Sequence, residues 1–339
     1  VAVRHFAGET LVRLAPFLSW DQLNEITIEL TKGLEIGAFE FSKYIPEYLG
    51  RFVLYLHPRE LDEFLSDLYR LLVSTNDRAA GVALDTLGVM LRSYGAYRDR
   101  FGEEENLYQK RKKRMLGMLL RGCSSYQENV SREAFYVAGH ELFAEKTLSM
   151  EEKKDFFAIL SKKFLLLSKG NETSELTFFN DTMTWNHIYR FLTAYLFECG
   201  SMRFAETERI AFFPGTYDPF SLGHKEIARG IRDMGFIVYL ALDEFSWSKK
   251  TQPHLVRRKI MEISVADEEN IYLFPENIPV NIANPADLKQ LRGLFPGKEV
   301  YMVAGSDVVK NASSYRLPVM EDSIQTFPHI LFLRESGTE

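Results

Sequence analysis

The chain has 339 residues, 41 Lys and Arg against 47 Asp and Glu, a formal net charge of −6 and 46% apolar residues. These values describe a globular protein long enough for two cores, and they exclude a disordered or collagen-like chain. The acidic balance argues against general affinity for nucleic acid, no apolar stretch reaches membrane-spanning length, and two cysteines are too few for a disulfide framework or a structural zinc site. A reducing, cytoplasmic setting is therefore expected.

Residues 1–203 read as an all-α domain. Apolar residues recur at three- and four-residue spacing, as at Leu23, Ile26, Ile28, Leu30 and Leu34, and strand-like alternation is absent. Ser19 with Gln22 and Ser149 with Glu152 have the spacing of capping boxes. The segments opening at Leu18, Leu56 and Leu148 echo one another, and the first interval, near 38 residues, implies stacked helix pairs of HEAT or armadillo type. An irregular helical bundle is the alternative. Such a domain is expected to offer a surface to a protein partner. The basic run Lys110-Arg111-Lys112-Lys113-Arg114 follows three glutamates and reads as a solvated helix face rather than an RNA patch. His5, His57, His140 and His187 lack metal-ligand spacing and read as capping or partly buried residues. Cys123 and Cys199 read as small buried apolar groups.

Residues 204–339 have a different texture, with short apolar runs alternating with helical stretches. Strands are expected over 209–213, 236–242, 271–274, 299–304 and 329–333, and helices over 222–234, 254–265 and 285–294. This alternation implies βαβ crossovers and a parallel sheet covered by helices on both faces. Ligands of such sheets bind at the carboxyl ends of the strands. There the chain places Gly215-Thr216-Tyr217-Asp218-Pro219-Phe220-Ser221-Leu222-Gly223-His224, between the first strand and the first helix. Glycines that admit a ligand close to the backbone, a helix N-terminus and a histidine together make a phosphate-binding composition.

The decapeptide resembles the G-x-F-D-P-x-H/T-x-G-H signature of the HxGH nucleotidylyltransferase superfamily. Ser221 stands where many members carry the first histidine and the pantetheine-phosphate adenylyltransferases carry threonine. Lys249 and Lys250 follow the second strand, and Arg257 precedes Ile260-Met261-Glu262-Ile263, as a lysine and an arginine do in many members. Gly305-Ser306-Asp307 resembles the G-A-D turn of nicotinate mononucleotide adenylyltransferases. Asp243-Glu244-Phe245 resembles a feature of the cytidylyltransferases. An I-S-S-T-x-x-R segment, usual after the last strand, is not found before Glu339; truncation of a longer domain is the expected cause.

The resemblance implies a Rossmann-like domain that transfers AMP from ATP, with Mg²⁺, to a phosphorylated small-molecule acceptor such as nicotinate mononucleotide. A cytidylyltransferase, a pantetheine-phosphate adenylyltransferase and a non-catalytic nucleotide sensor are the alternatives. It further implies that His224, helped by Ser221, meets the α-phosphate. Lys250 and Arg257 would neutralise phosphate charge, and Gly215, Thr216, Tyr217, Asp218, Gly223, Lys249, Gly305 and Asp307 would bind the nucleotide. Asp218 admits a second role, pinning the turn. Trp247 and Tyr315 could stack on a base or serve packing alone, and His254 is expected to cap the helix that starts there.

Overall fold

The computed structural model describes residues 2–36, 42–169, 177–204, 207–243 and 251–333. The chain divides into two compact units, Val1–Arg203 and Phe204–Glu339.

The first unit is helical throughout its described residues. Its α-helices are α1 (Ala2–Leu14), α2 (Trp20–Ile36), α3 (Ile45–Phe52), α4 (Pro58–Leu72), α5 (Asp77–Phe101), α6 (Glu105–Cys123), α7 (Glu128–Val137), α8 (Met150–Lys169) and α9 (Thr177–Cys199). Both expected capping boxes form: Gln22 N donates to Ser19 Oγ at 3.3 Å, and Glu152 N to Ser149 Oγ at 3.2 Å. The long central helix α5 starts where Asn76 Oδ1 accepts from Ala79 N, and it ends at Gly102, whose left-handed φ of 59° lets its N–H bond Arg98 O. Helix α7 runs into a π-helical turn, Ala138–Ala144, where Thr184 of α9 packs against Gly139 and donates to Phe135 O at 2.7 Å.

Several expectations for this unit are corrected. Ile28 is exposed, and Thr27 takes the buried place beside it by donating its hydroxyl to Leu23 O. The basic run is a solvated face only in part: Lys110, Lys113 and Arg114 are exposed, whereas Arg111 and Lys112 are not. Arg111 is buried and donates to both carboxylate oxygens of Asp62 at 2.9 Å, and it also pairs with Glu103. Lys112 is buried 4.7 Å above the Phe156 ring with Asp155 at 3.3 Å. Periodicity could not show this, because the partners lie outside this helix. Cys123 is buried as expected, whereas Cys199, at the end of α9, is exposed.

The second unit runs β1 (Arg209–Gly215), α10 (Leu222–Asp233), β2 (Ile237–Leu242), α11 (His254–Ser264), β3 (Ile271–Leu273), α12 (Pro285–Gly293), β4 (Glu299–Gly305), α13 (Ser306–Asn311) and β5 (His329–Phe332). Each expected strand is present; β1 runs two residues further, through Pro214 and Gly215, and α13 was not anticipated. The sheet is parallel throughout, in the order β3-β2-β1-β4-β5. Ile210, Ala211, Phe212 and Phe213 of the central strand are all buried, as a strand covered on both faces requires. The chain builds outward from β1 to β3 on one side, then crosses to begin again with β4 on the other. That reversal opens the sheet between the carboxyl ends of β1 and β4. Phe212 pairs with Met302, so continuing the register puts Gly215 level with Gly305. Among the described residues of either unit, no helix is long and apolar enough to cross a membrane.

Candidate functional site

A cleft of about 930 Å³ lies at this reversal point. Gly215, Thr216, Tyr217, Asp218 and His224 line it from the β1 side, and Gly305 and Asp307 from the β4 side. Seven of the residues selected by motif thus meet on one surface. Ser221, the N-cap of α10, and Gly223 in its first turn lie beside them, outside the lining. Lys249 and Lys250, with Trp247, lie outside the described residues.

The turn out of β1 is built around Tyr217. Its ring is 3% exposed and its hydroxyl donates to Phe213 O at 2.7 Å. Burial pushes the phenol well above its ordinary value, so the hydroxyl stays a neutral donor. A Cβ on Gly215 would stand 2.8 Å from that ring, which explains glycine there. Tyr217 itself has φ 47°, a left-handed conformation that costs a non-glycine residue about 1–2 kcal/mol. The Asp218–Pro219 peptide is cis, and Phe220 tucks back into the core.

Helix α10 begins with a reciprocal cap. Ser221 N donates to His224 Nδ1 at 3.0 Å, Ser221 Oγ is 2.9 Å from the same nitrogen, and His224 N reaches Ser221 Oγ at 3.5 Å. The histidine thus occupies the place that glutamate or glutamine takes in an ordinary capping box. Because Nδ1 accepts from a backbone N–H, the neutral ring carries its proton on Nε2. The imidazole stacks on Phe220 at 5.6 Å and meets Tyr217 edge-on at 5.2 Å. Its tautomer and its orientation are both set by neighbours. Gly223 has a different reason for being small. A Cβ there would meet nothing closer than Ser221 Oγ at 3.7 Å, so packing within the protein does not demand glycine.

Arg257 is absent from the cleft lining. The side chain is 5% exposed, and it donates to Thr216 O at 2.6 Å and to Gln252 O at 2.9 Å. Asp218 Oδ2 accepts from Gln252 N at 3.1 Å, a bond across loops rather than within the turn. Gln252, outside the cleft lining, braces the turn and was not marked by the motif. His254 opens α11 without capping it; Pro253 holds the cap position and no side chain bonds there.

On the β4 side, Asp307 folds back over Gly305, where a Cβ would stand 2.4 Å from its Oδ1. Tyr315 lines the far wall, and its hydroxyl is 2.9 Å from His329 Nε2. His329 Nδ1 lies 2.8 Å from Phe327 O, so Nδ1–H donates there and Nε2 accepts the tyrosine proton. Burial lowers the His329 pKa and raises that of Tyr315 to about 12.

Outside the cleft lining, Glu268 fastens α10 to the loop before β3. Arg229 Nε lies 2.7 Å away, Arg232 Nη1 2.6 Å and Lys225 Nζ 3.1 Å. Desolvation works to raise its pKa, and the cations outweigh it, leaving the carboxyl at about 2. In the sequence this residue sits in Asp267-Glu268-Glu269 and looks like solvated charge.

Among the described residues no group of three or more His, Cys, Asp or Glu side chains is placed to hold a metal ion. No protein-family model matches this chain, and no curated protein matches it.

Proposed function

We propose that the second unit is a Rossmann-like nucleotidylyltransferase domain. It moves AMP from ATP to a phosphorylated small-molecule acceptor, with nicotinate mononucleotide the favoured one. One observation carries this: a tautomer-locked histidine at the third position of a helix lines a cleft at the point where a parallel sheet reverses its strand order.

In this mechanism an acceptor phosphate oxygen bonds to the α-phosphorus as the bond to the leaving pyrophosphate breaks. Catalysis rests on positioning and charge stabilisation. His224 donates Nε2–H to an α-phosphate oxygen as negative charge grows there. Ser221 supports it by holding Nδ1, and the N-terminal amides of α10 add fixed positive potential. Gly223 leaves room above that turn for the phosphates. Gly305 and Asp307 form the opposing wall, where Asp307 faces the nucleotide sugar or the acceptor, and Tyr315 offers a ring face for stacking. Lys249 or Lys250 neutralises phosphate charge. Mg²⁺ suits a site without a protein cage, since it is held mainly by phosphates with one or two carboxylates, and Asp218, Asp243 and Asp307 are the carboxylates lining the cleft. When bound it would offset charge on the triphosphate.

The first unit, read as a HEAT-like array, would recruit a protein partner. Pyrophosphate release from Mg-ATP with nicotinate mononucleotide, nicotinamide mononucleotide and phosphopantetheine, and from CTP with glycerol phosphate, tests the activity and picks the acceptor. One observation favours a sensor without turnover: Ser221 and Arg257 are both engaged within the protein. Silence across that panel with ATP binding intact would select it.

A further inference from the structure

On the premise that the cleft binds a nucleotide, we infer that Arg257 is a positioning residue, which orients the Thr216–Tyr217 peptide of the phosphate cradle and does not touch the phosphates. The superfamily pattern implies a phosphate ligand at this position; the side chain is turned elsewhere. Its guanidinium is buried beneath the loop and donates to two backbone carbonyls, Thr216 O and Gln252 O. The segment that receives it is tied a second time, because Gln252 N–H donates to Asp218. Two hydrogen bonds thus join residues 216 and 218 to Arg257 in the first turns of α11 and to Gln252 just ahead of it, and a third, from Arg257 to Gln252 O, ties those two together.

Between the two tied residues lies Tyr217, in the left-handed conformation. A residue held so persists only when its surroundings over-determine it. Here the ring hydroxyl is held by Phe213 O, the backbone is tied at Thr216 O on one side, and the Asp218 carboxylate is tied on the other. The geometry of the peptide supplies the functional step. In a trans peptide the carbonyl and the following N–H point in opposite directions. Anchoring Thr216 O on Arg257 therefore turns the Tyr217 N–H to the side away from Arg257. Thr216 and Tyr217 both line the cleft, and Arg257 does not. The N–H so presented becomes a cradle donor to phosphate oxygen. Arginine suits the task because its planar fork serves two carbonyls from two segments at once, whereas a lysine ammonium is a point charge on a flexible stem.

The test is amide hydrogen exchange of residues 216–221 in the full chain, comparing the natural protein with Arg257→Lys, Asp218→Ala and the double variant. Lysine keeps the positive charge, which separates positioning from charge, and Asp218 is exposed, so its truncation spares the core. Each single change is expected to speed exchange at the Tyr217 amide by about tenfold, and the double change by no more than about threefold beyond the faster single. ATP affinity measured by calorimetry is expected to fall in the same non-additive pattern. Unaltered exchange in Arg257→Lys, or effects that multiply in the double variant, would overturn the inference. If the natural protein binds no ATP while the exchange pattern holds, Arg257 still positions the loop and the nucleotide premise fails instead.

Discussion

The Nδ1 atom of His224 accepts the backbone proton of Ser221 at 3.0 Å, three residues earlier in the chain. One hydrogen bond does two jobs: it caps α10 and decides which ring nitrogen faces outward with a proton. The residue proposed to stabilise the transition state is therefore also a residue that starts the helix supporting it.

Replacing His224 by Ala separates these two jobs by size. Turnover is expected to fall by about a hundredfold or more. Loss of the cap costs only about 1 kcal/mol of stability. Pyrophosphate release beside a urea melt reads both, and near-normal turnover would remove His224 from the chemistry. Ser221→Ala is expected to cost a similar amount of stability with a smaller loss of turnover, because the histidine remains.

Two glycines in the same motif are expected to respond in opposite ways. Gly223→Ala places a methyl in open space on a helix and should stabilise the fold by about 0.5–1 kcal/mol while weakening ATP binding. Gly215→Ala drives a methyl against the buried Tyr217 ring and should destabilise by about 1–3 kcal/mol. Thermal melts with and without ATP check the pair. Unchanged ATP affinity in Gly223→Ala would show that no ligand uses that space.

Glu268 makes stability depend on acid. Its folded pKa, about 2, lies below the ordinary 4.5, so its contribution is fully present above pH 4.5 and is lost as pH falls through the folded value. Glu268→Gln leaves three cations without their shared carboxylate and should cost about 3 kcal/mol at neutral pH. That difference is expected to shrink as pH falls below 4.5. Urea midpoints of both proteins across the acid range provide the check; a gap that stays constant would show that the carboxylate charge is not the source.

Asp85 shows the reverse sign. Burial first, then the neighbouring Glu133 carboxylate with which it shares a hydrogen bond, hold its pKa well above the ordinary 3.8. A raised carboxyl pKa means that the stabilising proton is fully bound in both states only below 3.8, and stability declines as pH climbs from there through the folded value. Asp85→Asn, a neutral isostere, should therefore gain stability over the natural protein in alkali and lose that advantage in acid. Melts at about pH 5 and about pH 9 decide it.

The parts legible in the sequence were those whose causes lie within a few residues. The strands of the second unit announced themselves because a strand covered on both faces must be apolar at every position, as Ile210 to Phe213 are. The helix caps at Ser19 and Ser149 follow from a side chain reaching an amide three residues on. The decapeptide likewise combines its glycines, its turn and its histidine in ten consecutive positions. What needed the folded chain was every pairing across elements. Arg257 finds Thr216 across 41 residues, and Arg111 finds Asp62 across 49, and neither partner could be chosen by spacing. Glu268 and Lys112 look like surface charge until the neighbours that bury and neutralise them are in place. Local hydrogen bonding and periodic burial are written along the chain, whereas desolvation and charge pairing belong to the space between elements and exist only once those elements have packed.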